Sequence, residues 1–132
     1  MKVYRVETVD GEGPYCVASP SKHFTKEKRS EVNIHRPAPY NDSLLKEKWD
    51  KLGGDCYKFI FGFKSKKQLK EWFPPYALKT LFEENSKLRV SIYDASEAIK
   101  GEKQVVFKEK SAVLVKSLKI NEFLSPTTPC NS

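Results

Sequence analysis

Between Cys56 and Phe73 the spacing of hydrophobic residues changes once, from a period of two to a period of about 3.6. Tyr57, Phe59, Phe61 and Phe63 alternate with smaller or polar residues, the pattern of a half-buried strand. Gly62 lies one residue from the end of that run, where a backbone can bend or be approached closely. Ser65 and Gln68 form a capping box, which satisfies amides left open at a helix start. Leu69, Trp72 and Phe73 then share one helical face, with Lys66, Lys67 and Lys70 turned outward. A strand is therefore expected to run into a short amphipathic helix, and the turn between them suits a ligand.

The same reading extends along the chain. Lys2 to Val9 alternates as a strand, broken by the glycines and proline of residues 10–15. Residues 16–40 lose periodicity over a length unusual for a connection, so that segment is expected to be functional or mobile. Asp42 or Asn41 caps a helix over residues 43–52, with Leu44, Leu45, Trp49 and Leu52 inward and Gly53-Gly54 ending it. Pro74-Pro75 stops one helix and starts the next, which carries Leu78, Leu81 and Phe82 inward. Leu88, Val90 and Ile92 mark a strand, residues 95–100 a short turn or helix, and residues 104–107 and 112–120 two more strands. Helices and strands mixed in this order predict an α+β fold: a curved, mainly antiparallel sheet of about five or six strands with about three short helices packed on it. The domain is expected to span residues 1–124, with a frayed tail at 125–132.

Composition supports a single folded domain. The chain has 132 residues, of which 39% are hydrophobic and 12% aromatic, enough to build a core. The net charge of +7 suits an acidic partner, but it comes mostly from lysine, with only Arg5, Arg29, Arg36 and Arg89 to read phosphate bidentately. Much of the charge therefore reads as solvated surface. Cys16, Cys56 and Cys130 lack paired spacing, no signal peptide opens the chain, and no apolar run reaches the roughly 20 residues that span a bilayer. A cytoplasmic, non-membrane protein is expected, within the host cell if the origin is viral.

Several chemistries are disfavoured. The three cysteines with His23 and His35 show no metal-ligand spacing. Cys56 reads as a buried, inert thiol, and His35, in a proline-stiffened loop, as a hydrogen-bonded or exposed residue. Tyr57-Lys58-Phe59 and residues 61–67 interleave aromatic and basic residues as a nucleic-acid platform does, although core packing explains the phenylalanines equally well.

Tyr4-Arg5-Val6-Glu7, residues 11–15, Phe61-Gly62-Phe63-Lys64-Ser65 with Gln68-Leu69 and Trp72-Phe73, and residues 101–107 together resemble small proteins of bacteriophage type. The resemblance covers most of the chain outside the irregular segment and tail. It implies a viral accessory protein active in host interaction or anti-defence, and carries no mechanism with it. More distantly, Arg5, Ser65 and Gln104 resemble the arginine–serine–glutamate layout of ADP-ribosyltransferases. That resemblance implies a phosphate contact for Arg5, an orienting role for Ser65, and Gln104 at the position of the catalytic glutamate, with Glu102 as a substitute. A neutral amide cannot stabilise a cationic sugar, so NAD or a related nucleotide would be bound without being transferred.

The leading expectation is a non-catalytic accessory protein that binds a nucleotide or an acidic host protein in a basic cleft. Arg5, Phe63, Ser65 and Gln104 would line the cleft, and Lys64, Lys66, Lys67, Lys70 and Arg36 would form its basic surroundings. An ADP-ribosyltransferase-like enzyme and a non-specific nucleic-acid binder are the alternatives.

Overall fold

The computed structural model describes residues 1–13, 39 and 42–125. Strand β1 (Lys2–Thr8) pairs antiparallel with β3 (Leu88–Ala95), setting Tyr4 against Ile92 and Val6 against Val90. β3 in turn pairs antiparallel with β6 (Ala112–Lys119). The β3–β6 register shifts between Ile92, opposite Lys116, and Tyr93, opposite Leu114, so that Val115 is the extra residue of a bulge. A second antiparallel sheet has the order β2 (Phe59–Gly62), β5 (Val105–Lys108), β4 (Ala98–Lys100).

The two sheets are stitched where β2 ends. Tyr4 and Phe63 exchange backbone hydrogen bonds of 2.7 Å in both directions. This contact requires Gly62, because a Cβ there would stand 2.5 Å from Val3 Cγ1 and 2.8 Å from the Tyr4 carbonyl oxygen.

Helices α1 (Lys46–Leu52), α2 (Lys66–Trp72), α3 (Pro75–Glu84) and α4 (Ile120–Leu124) complete the fold. Tyr4, Val6, Leu88, Val90 and Ile92 present one face of the β1–β3–β6 sheet to Leu69, Trp72, Phe73, Leu78, Leu81 and Phe123. Each large side chain removed from water there contributes roughly 1.5–3 kcal/mol. Phe63 sits at the centre of this core, its ring 5.5 Å from Trp72 and 6.1 Å from Phe73. Val3, Ala95, Val105 and Phe107 form a smaller core where the opposite face of β1 and β3 meets the second sheet. This is the expected α+β class, with six strands and three helices of seven or more residues among the described residues. The strands divide between two three-stranded sheets where one sheet of five or six was expected, because β2 meets β1 only through the Tyr4–Phe63 bridge.

Local departures from the sequence expectation have physical causes. The phenylalanine-rich strand begins at Phe59 because Gly53–Lys58 winds into 3-10 turns, leaving Tyr57 77% exposed. Residues 98–100 form β4 and not a helical turn, since Ala98, Ile99 and Lys100 gain partners in Phe107, Val106 and Val105. The first helix starts at Lys46, and Leu44, expected inward, is 63% exposed while Leu45 is buried. The five-residue α4 was not anticipated, and it buries Ile120 and Phe123. The segment of residues 16–40, with His23, His35 and Arg36, lies outside the described residues apart from Pro39, and so does the tail after Ser125. Among the described residues no helix is long and apolar enough to cross a membrane.

Replacing Gly62 by alanine forces either the Tyr4–Phe63 bridge or the Val3 side chain to shift. We expect Gly62→Ala to lower the unfolding free energy by about 1–3 kcal/mol, measured by urea denaturation.

Candidate functional site

Alternation along β1 puts Arg5 and Glu7 on the same face, two residues apart, and both are at least 95% buried. Arg5 Nε donates to Glu7 Oε1 at 2.9 Å, and Arg5 Nη1 donates to the Phe61 carbonyl oxygen at 2.6 Å. The guanidinium also lies over the Phe61 ring, 5.5 Å from its centroid. The second Glu7 oxygen accepts a hydrogen bond from the Tyr93 hydroxyl. A buried charge is tolerated only when paired and hydrogen-bonded, and this network supplies both conditions. Burial, then the bond to Glu7 and the charge of its carboxylate, push the Tyr93 phenol well above its ordinary range.

Beyond Arg5 lies a cavity of 350 Å³. Trp49 of α1, Phe59 and Phe61 of β2 and Val106 of β5 wall it, and Arg5 and Gln104 supply its polar side chains. Gln104, just before β5, is 1% exposed. A flat apolar group fits such walls.

The residues expected at the cleft divide between this cavity and other places. Arg5 and Gln104 come together in it. Phe63 is fully buried in the main core. Ser65 caps α2, its Oγ accepting from the Gln68 amide at 3.1 Å. Gln68 completes the cap one residue further back than expected. Its Oε1 accepts from the Lys64 amide at 2.9 Å, and its Nε2 donates to the Glu102 carbonyl at 3.3 Å. Glu102 stands in the turn before β5, where its carboxylate accepts from the Ser43 hydroxyl. Lys64, Lys66 and Lys67 are exposed around the start of α2 and Lys70 in its last turn, where Lys70 Nζ sits 5.5 Å from the centre of the Phe123 ring. Among the described residues no group of three or more histidine, cysteine or acidic side chains could hold a metal, and Cys56 is a half-buried free thiol.

The sequence reading assigned Asp42 only a capping role. Its buried carboxylate accepts from the Leu44 and Leu45 amides at 3.2 and 3.3 Å, ahead of α1. It also accepts from the Glu102 and Lys103 amides at 2.6 and 3.0 Å. Gly101 makes room, because a Cβ there would meet the carboxylate at 2.7–2.8 Å. One side chain thus clamps the turn that delivers Gln104 to the start of the helix that delivers Trp49. A capping aspartate and a distant glycine were the available signals, and nothing local paired them.

This arrangement defines a small α+β domain built from two antiparallel sheets, and its sequence is of bacteriophage type. Residues 1–121 match the family described as bacteriophage T4 Y00F protein, and the chain belongs to that family. No curated protein and no solved structure matches it. The family description names no activity, and the likeness to ADP-ribosyltransferases rests on the residues alone.

The environment of Tyr93 gives a pH test. A phenol whose folded pKa lies above its unfolded value of about 10 makes the folded state the better proton binder. Its contribution is complete below that pH and is lost as pH rises through the region above it. Stability between about pH 9 and about pH 11 should therefore fall more steeply for the wild type than for Tyr93→Phe, compared by denaturation at each pH.

Proposed function

We propose that this phage accessory protein is a non-catalytic binder that holds the base of a nucleotide in the cavity between Arg5 and Gln104. The observation that carries this reading is the convergence of two polar residues far apart in sequence on a space walled by Trp49, Phe59 and Phe61. A base stacked on an aromatic side chain gains roughly 1–3 kcal/mol. The cavity volume of 350 Å³ lies within the range of small-molecule sites.

Binding without turnover follows from the charges. Gln104 is neutral where an ADP-ribosyltransferase would use a carboxylate, Glu102 is turned to Ser43, and Glu7 is engaged by Arg5 and Tyr93. Arg5 is itself neutralised by Glu7, so the base contributes more to recognition than the phosphates do. A second reading, an acidic host surface docked on Lys64, Lys66, Lys67 and Lys70, is favoured by their shared exposure on and just before α2.

Titration with AMP, ADP-ribose and NAD tests the first reading. We expect saturable quenching of tryptophan fluorescence that weakens in Trp49→Phe, and NAD recovered intact. Ligand at 100 times its dissociation constant should add about 2.7 kcal/mol to stability. Absence of saturable quenching and of thermal stabilisation by all three would overturn it.

A further inference from the structure

We infer that the protein has a second ligand site, a groove on the β1–β3–β6 sheet that takes the oxyanion of a small molecule, a carboxylate or a phosphate, on Arg89 and Ser91. The groove has a volume of 480 Å³ and is separate from the aromatic cavity, with which it shares no lining residue. The inference stands independently of the nucleotide reading.

Pairing register builds the site. Arg5, Ser91 and Ser117 lie opposite one another across the three strands, as do Glu7, Arg89 and Lys119. Both rows therefore face the same side of the sheet. Among the described residues Arg89 forms no ion pair. Its cross-strand neighbour Glu7 is already bound to Arg5 and Tyr93. On its other side stands Lys119, and like charges directly opposite on paired strands repel unless something anionic lies between them.

Hydroxyl groups point to the same chemistry. Ser91 is 3% exposed and lines the groove, yet its hydroxyl makes no hydrogen bond among the described residues. Among the described residues every buried side-chain polar atom has a partner. The unbonded Ser91 hydroxyl is therefore the accessible part of an otherwise buried residue and is open to the groove. Arg89, Ser91 and Ser117 therefore offer donors, and the buried Glu7 carboxylate is engaged by Arg5 and Tyr93. Asp10 is the opposing charge, and it is exposed to water at the rim. Leu114 and the Tyr93 ring leave room for an apolar body attached to the oxyanion.

The test is a heteronuclear NMR titration of the intact protein with sodium phosphate and, separately, sodium acetate, at constant ionic strength. Saturable shifts of the Arg89, Ser91 and Ser117 amides are expected with at least one probe, with the Trp49 indole unmoved. Saturation by phosphate alone assigns a phosphoryl ligand, and saturation by acetate alone assigns a carboxylate. Arg89→Gln, which removes the charge and keeps a polar head on a shorter stem, should weaken binding about tenfold, and Ser91→Ala should weaken it less. Linear, unsaturated shifts spread over the surface lysines would mean an adventitious ion only and would overturn the inference. Unchanged affinity in both folded variants would overturn it as well.

Discussion

The structure depends most on the buried pair between Arg5 and Glu7. Removing two charges from water is costly, and a hydrophobic replacement of such a pair is often neutral, so its net contribution to stability is small. Its contribution to geometry is larger. Arg5 reaches the Phe61 carbonyl on the second sheet while Glu7 receives the Tyr93 hydroxyl within the first. Losing one partner would strand the other as a buried charge, a cost of about 3–5 kcal/mol. The pair therefore fixes how β1, β2 and β3 meet, and the Tyr4–Phe63 bridge fixes their separation.

Asp42 applies the same principle to the loops. Four amides from two distant segments converge on one carboxylate, which holds the turn before β5 against the start of α1. Gln68 adds a second tie by bonding the Glu102 carbonyl from the first turn of α2. The aromatic cavity is consequently framed by polar clamps as well as by Phe61, which packs against Phe63 and Trp72 of the main core. Trp49, Phe59 and Phe61 stay half-buried and line it.

What could be read from the sequence was what is determined locally. The alternation of β1, β3 and β6, the cap at Ser65 and the double-proline junction each carry their own signal within a few residues, and each was anticipated. Residues 98–100 were misread because three residues become a strand only when β5 is beside them. Residues 56–58 were misread because the alternation suggested by Tyr57 is overridden by 3-10 turns that begin at Gly53. The meeting of Arg5 with Gln104 was suggested by resemblance, whereas Trp49 and Phe59 as cavity walls were not visible at all. Arg89 and Ser91 looked like the polar side of an ordinary strand. Only the register, which sets Arg89 against a Glu7 already engaged elsewhere, gives them significance.

This distribution of charge decides what each space selects. Arg5 faces the cavity, but its charge is balanced at 2.9 Å by Glu7. A phosphate brought there would compete with a carboxylate already in place, and would leave Glu7 buried without its partner. Uncharged, planar chemistry suits those walls better. On the other side of the same pair, Arg89 and Lys119 face each other with no such balance. Engaging Glu7 inward is what releases Arg89 outward, so the bond that makes the cavity indifferent to anions is the one that makes the groove receptive to them.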